Sequence, residues 1–379
     1  MRRRQLTSVL VAFLLAGITM VVLPRYGNTD GWRDTFSPAL PPPSGSHDVG
    51  VRRMRVVDHD RRDPWLPDSD RTVMLDVHYP ADGGSRPLTH YTVASVMTEF
   101  GCLAWAPGEE QRLGLLPDDV NWRFRTRSHE WAPPAGGSFP VLVGSPPPGM
   151  MRTAYTGIAE ELASQGYVVV TVDHPFDAPV VDLYPTRRVI EPTDAVATVQ
   201  RRDADTARVA DLAFVTRGLA GLDPQLTGVM DLRRIGLFGW TGSDVTQRAQ
   251  LAGLPGVSGI ADTTGTAGVT GTDAMPLLIV GGSPNADRSS LQRPGWRATV
   301  TIPGASALSL TDDGVILAQI AERYPRTQPV VRQDIGTAQP LAYRTVRRAL
   351  VSFFDHHLSG APDGTFAMES GVTVDLVSS

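Results

Sequence analysis

The sequence predicts an α/β fold: one doubly wound, mostly parallel sheet with an antiparallel edge on its N-terminal side. Three stretches carry that prediction. Residues 167–173 (Tyr-Val-Val-Val-Thr-Val-Asp) form a nearly unbroken apolar run directly after a helical stretch that Gly166 ends. An apolar strand without alternation, reached through a helix, is a parallel strand covered on both faces. Residues 233–239 read as a second buried strand that ends in glycine, turns sharply and enters a helix over 247–254. From Phe139 onward, strand and helix patterns alternate, which is the rhythm of a doubly wound sheet.

In chain order, residues 51–58 and 72–79 alternate apolar and polar side chains, as an antiparallel pair at a sheet edge does. Between them, residues 61–70 hold the turn chemistry of Asp63-Pro64 and Pro67-Asp68. Residues 91–135 are irregular, with one helix expected around 93–105. A strand at 139–144, a helix at 153–165 and the strand at 167–173 follow. Residues 178–198 are expected as a surface excursion. Residues 203–222 place Val209, Leu212, Ala213, Val215 and Leu219 at helical spacing and lead back to the second strand. Strands at 257–261, 275–281 and 298–302 and helices at 314–323 and 341–358 complete the domain, with no internal repeat. The implied organisation is an N-terminal segment 1–24, a Pro/Gly/Ser-rich tether 25–50, a domain 51–360 and a tail 361–379.

Composition narrows the class. Hydrophobic residues make up 41% and charged residues 20%, which are globular values. A formal charge of −5 argues against an electrostatic nucleic-acid binder. All 35 cationic side chains are arginine, so no lysine is available for catalysis. Cys102 is the sole cysteine, which excludes an internal disulfide and a thiolate metal cluster. The chain opens with Arg2-Arg3-Arg4, followed by 18 uncharged residues from Leu6 to Leu23 and then Pro24-Arg25 in place of a small-residue cleavage site. That pattern predicts an uncleaved membrane anchor with the domain exported, the alternative being a secreted chain after signal cleavage.

The strand–turn–helix at Gly239-Trp240-Thr241-Gly242-Ser243 has the setting of a nucleophile elbow, whose usual form is G-x-S-x-G. Thr241 occupies the serine position and Ser243 the last glycine position. Together with residues 73–80, 139–146, Arg152-Thr153, Tyr155-Thr156, 166–177 and Phe353-Phe354-Asp355 with His357-Leu358, this stretch resembles the platelet-activating-factor acetylhydrolase-like branch of the α/β-hydrolases. The resemblance runs from about Val51 to Gly360 and is nearest to exported actinobacterial esterases and lipases. It implies an α/β-hydrolase fold and a serine, aspartate, histidine triad in that chain order, acting on carboxylic esters without a cofactor or metal.

Carried over position by position, the resemblance puts the nucleophile at Thr241, the acid at Asp262 and the histidine at Ala307. The oxyanion donors fall at Gly242 and, in the loop after an earlier strand, at Pro148, which has no N–H. Three parts of the machinery are therefore expected to be defective. Thr241 adds the strain of a β-branched residue at a turn position that calls for positive φ. Losing one oxyanion donor costs about 10² to 10³ in rate, and losing a positioned base roughly 10² to 10⁴.

Other readings stand beside these. Asp262 can simply brace its loop, and Ser243 caps a helix or acts as a displaced nucleophile. His174 follows a strand end and is expected to make a structural hydrogen bond. His129 with Glu130, and His47, His59, His78 and His90, lack metal-ligand spacing. His356 and His357 lie on the last helix, where the resembled family has solvated polar residues, and neither is expected to serve as the triad base. Trp105, Trp122 and Trp131 pack under a long loop or floor an acyl pocket. Functionally the sequence points to a degenerate hydrolase that binds a lipid, an ester or an envelope partner, the alternative being a slow esterase using Thr241 or Ser243.

Overall fold

The structure is a computed structural model that describes residues 35–83, 86–91, 112–115, 119–183, 188–190, 201–242, 245–264, 275–282, 295–362 and 370–377. Its strands and helices follow in the order β1 (Asp48–Arg62), β2 (Asp70–Ala81), β3 (Leu88–His90), β4 (Arg125–Glu130), β5 (Phe139–Ser145), α1 (Thr156–Ser164), β6 (Val168–Asp173), β7 (Val181–Leu183), β8 (Arg188–Ile190), α2 (Arg201–Gly218), α3 (Pro224–Thr227), β9 (Met230–Gly239), α4 (Val245–Ala252), β10 (Val257–Asp262), β11 (Leu277–Gly281), β12 (Arg297–Thr301), α5 (Asp312–Arg323), α6 (Gln328–Ile335), α7 (Leu341–Ser359) and β13 (Thr373–Val377). Among the described residues the main sheet has the order β13-β12-β11-β10-β9-β5-β6-β2-β1-β4-β3. Its centre is parallel, running from β6 through β5, β9, β10 and β11 to β12.

The apolar strands follow from helices on both faces. In β9, Ile235 and Leu237 join one buried cluster and Phe238 the other; in β6, Val168, Val170 and Val172 divide from Val169 in the same way. Val209, Leu212 and Val215 of α2, with Leu251 of α4, close the first face. Ile158 and Leu162 of α1, with Val346, Leu350, Phe353 and Phe354 of α7, close the second. Each such side chain contributes about 1.5–3 kcal/mol on burial. Gly236 makes the α7 contact possible, because a Cβ there would lie 2.3 Å from the Phe354 ring.

Several expectations need correction. The pair β1–β2 is antiparallel, as expected, but lies inside the sheet: β2 pairs with β6 on its other side, and the edge belongs to β3. The excursion after β6 is not confined to the surface, since β7 and β8 form a hairpin with Ala178, Val181 and Leu183 buried. The tether is sewn down over its last part. Leu40 is buried, the Ser44 N–H donates to Glu161 Oε2 at 2.9 Å, and the His47 N–H donates to the Ser164 carbonyl at 3.1 Å. The tail holds β13, which pairs antiparallel with β12. The helix expected around 93–105 and the apolar run 6–23 lie outside the described residues. Among the described residues, no helix is long and apolar enough to cross a membrane.

Candidate functional site

The direction of winding reverses at β5, which has β6 on one side and β9 on the other. In such sheets, ligands bind beyond the carboxyl ends of the strands at that reversal. Four of the strand ends there carry chemistry. Ser145 ends β5, Asp173 ends β6 with His174 next after it, Gly239 ends β9 and Asp262 ends β10.

The turn after β9 brings Thr241 to Asp262: the Thr241 hydroxyl donates to Asp262 Oδ2 at 3.2 Å, and both residues are fully buried. The other Asp262 oxygen accepts from the Thr264 N–H at 2.9 Å and the Thr264 hydroxyl at 2.8 Å. Arg248 on α4 places Nη2 3.6 Å from Asp262 Oδ2 and donates from the same nitrogen to the Gly242 carbonyl at 3.1 Å. The carboxylate thus binds the hydroxyl directly, where a working triad has an imidazole between them. The strain expected at Thr241 is absent. Positive φ falls on Gly239 (90°) and Gly242 (112°), residues without a Cβ to clash. Thr241 itself is not held at positive φ. Ser243 lies outside the described residues.

Ala307 opens the short 3-10 turn Leu308–Leu310 with its methyl exposed, and it offers no proton acceptor. Its loop packs on the end of β11, where a Cβ at Gly282 would lie 1.8 Å from the Ala305 carbonyl. In the loop after β5, Pro147 to Met150 form a turn closed by a 3.1 Å bond from the Met150 N–H to the Pro147 carbonyl. The Gly149 N–H, next after Pro148, donates to Asp177 Oδ2 at 3.2 Å and is thereby committed. Trp240 is buried with the Arg208 guanidinium 4.9 Å from its ring centroid.

One strand over stands a cluster that the sequence did not disclose as a unit. Ser145 Oγ lies 3.0 Å from His174 Nε2, and His174 Nδ1 lies 2.9 Å from Asp211 Oδ2. Asp211 can only accept, so Nδ1 carries the proton and Nε2 accepts from the Ser145 hydroxyl. This is the connectivity of an acyl-transfer relay. Its electrostatics are those of a structural knot. Burial first, and the nearby Arg208 guanidinium second, push the His174 pKa down to about 4, far from the value near 7 that suits a general base. Against the desolvation of burial, Arg71 holds the Asp211 carboxyl far below the usual range. Arg71 does so through Nε at 3.1 Å and Nη2 at 2.8 Å, and Arg61 pairs with the same carboxylate. Arg208 ties the knot to the oxyanion loop by donating to Ser145 Oγ at 2.8 Å and by bonding the Pro146 carbonyl and Asp177. His174 does make a structural hydrogen bond, in fact two. A signal for Arg208 and Asp211 was present: they stand three apart beside Leu212 and Val215 in the apolar stripe of α2.

The remaining candidates take structural places. Trp122 is buried with Phe124 against Ile316 of α5, and Trp131 is 44% exposed over Arg52. Trp105 is not described. His356 and His357 are not simply solvated but pack on Trp296, with His357 4.6 Å from its ring centroid. A groove of about 580 Å³ is lined by Val315 and Gln319 of α5 and by Val331 and Ile335 of α6, residues distinct from those at Thr241. Among the described residues, no group of three or more His, Cys, Asp and Glu is placed to hold a metal.

Residues 38–194 match the family described as platelet-activating factor acetylhydrolase, isoform II. A ferulic acid esterase structure from Streptomyces cinnamoneus superposes with a TM-score of 0.68 at 26% identity, covering 90% of this chain and 99% of that one. The chain has an α/β-hydrolase fold, and its residues 38–194 are similar to the platelet-activating-factor acetylhydrolase family. A probable 1-alkyl-2-acetylglycerophosphocholine esterase from Arthroderma benhamiae is 30% identical over 156 residues, covering 38% of this chain and 38% of that protein. The chain thus aligns with well under half the length of that relative. The family match ends before Thr241, so it takes in Ser145, Pro148 and His174 but none of the three triad positions.

Proposed function

We propose that this chain is a degenerate member of that esterase group, one that has given up ester hydrolysis and acts by binding an ester or lipid at the former elbow. The observation that carries the reading is the 3.2 Å bond from the Thr241 hydroxyl to Asp262, which ties the only hydroxyl at the nucleophile position to the acid. Ala307 at the histidine position and the committed loop at Pro148 support it from two other elements. Ester or lipid ligands are the class suggested by the esterases to which the chain is similar. The basic cluster at Arg2–Arg4 and the uncharged run 6–23 support an exported domain held at the membrane by its N-terminus.

The test is turnover of p-nitrophenyl butyrate by the purified domain, with mass spectrometry after fluorophosphonate treatment. No turnover and no adduct on Thr241 or Ser145 are expected. Turnover that vanishes in Thr241→Ala would sink the reading. Thr241→Ser and Ala307→His should each remain inactive, and the two together should give weak turnover. Replacing Pro147 and Pro148 with Gly and Phe should then raise that turnover by about 10² to 10³, the worth of one oxyanion donor.

A further inference from the structure

Arg248 belongs to the first turn of α4 and is 6% exposed. Only its Nη2 is engaged, on the Gly242 carbonyl and beside Asp262. Its Nε and Nη1 are buried and have no hydrogen-bond partner. Donors of a buried cation are rarely left over, because stripping them of water without a replacement acceptor is costly. The acceptor these two donors lack is one that a bound molecule can supply.

Three features place that acceptor at the elbow. The guanidinium reaches back across the turn, touching the Gly242 carbonyl and the same Asp262 oxygen that takes the Thr241 hydroxyl. Gly242 is the position whose N–H serves the oxyanion in the related esterases. The N-terminal end of α4 adds a positive dipole that favours an oxygen bearing partial negative charge. The charge balance then selects the ligand. Asp262 already supplies one negative charge beside Arg248. A carboxylate would bury a second, whereas a neutral ester adds none.

From this geometry we infer that Arg248 is a carbonyl-binding residue: its free Nε–H and Nη1–H take the acyl oxygen of a neutral ester, in place of the donor lost at Pro148. The inference rests on the ligand-binding reading above and names the contact by which the ligand is held.

Isothermal titration of the purified domain with phenyl butyrate, butyl phenyl ether and butyrate tests it. The ether matches the ester except for the carbonyl oxygen. The wild type should bind the ester about 10- to 100-fold more tightly than the ether, as expected for hydrogen bonds from a charged donor. It should also prefer the ester to butyrate. In Arg248→Met the ester should fall to the level of the ether, with ether binding unchanged. Arg248→Lys, which keeps the charge and loses the fork, should fall between. Equal affinity of the wild type for ester and ether, the result if an ordered water satisfies Arg248, would overturn the inference without any variant. Equal loss of ester and ether binding in Arg248→Met would also overturn it, by making the residue structural. Binding of neither compound by the wild type would instead remove the ligand-binding reading itself.

Discussion

The turn at Thr241 and the knot at Ser145 stand at the ends of neighbouring strands, and each holds a part of acyl-transfer chemistry that the other lacks. At Thr241 a hydroxyl and an acid meet with no base between them. At Ser145 a hydroxyl, an imidazole and a carboxylate are joined in the right order. In a working relay the carboxylate keeps its charge for the imidazolium that forms during the reaction. Asp211 has already given its charge to Arg71 and Arg61, and His174 is left a weak base. The difference teaches that hydrogen-bond connectivity does not make a triad; proton affinity does. Ser145 and His174 are buried to within 1% of their surface, as Thr241 and Asp262 are, so burial does not separate the two sites; the charge environment does.

If the knot is a structural pillar and the elbow a relic, the two should differ sharply in stability. Asp211→Asn leaves the buried Arg71 with Asp63 as its remaining carboxylate and should cost about 3–5 kcal/mol in urea unfolding. Asp262→Asn keeps an acceptor for Thr264 and should cost about 1–3 kcal/mol. Equal costs would break the comparison.

A pH series sharpens it further. Folded, His174 stays neutral down to about pH 4; unfolded, it takes up a proton near its ordinary value of about 6.5. Between those values the unfolded chain binds the extra proton, so stability from this group is lost as pH falls, at up to about 1.4 kcal/mol per pH unit. Burial raises the Asp312 carboxyl and works in the opposite sense, so the signal is read as a difference. The advantage of the wild type over His174→Gln in thermal or urea unfolding should narrow from pH 6.5 to pH 4. A constant advantage would mean that His174 is charged in the fold.

The smallest effect belongs to Thr241→Val, which removes one of several donors to Asp262 and should cost about 1 kcal/mol. A cost several times larger would make the Thr241 hydroxyl a part of the pillar.

How much of this the sequence disclosed depended on distance along the chain. The unit from β9 through α4 was legible because its apolar spacing is local, and Thr241 and Asp262 were paired only through the resemblance to the family's triad order. The knot was not legible. Ser145 and His174 are 29 residues apart and His174 and Asp211 are 37, and nothing in that spacing says they touch. The strain expected at Thr241 came from the usual elbow and missed that Gly239 and Gly242 could absorb the positive φ. The hairpin β7–β8 was missed because its strands are three residues each, too short for an alternating pattern to show.

The placement of β13 bears on how the protein can be handled. β12 is buried along its whole length, and β13 covers its outer edge with five residues in register. Uncovered, β12 would present a row of free amides and carbonyls on an apolar strand, a template for sheet growth between molecules. The strand from Thr373 to Val377 works as a gasket. A chain cut before residue 373 should retain its site and yet associate in sedimentation runs, so solubility in this molecule is guarded far from the chemistry.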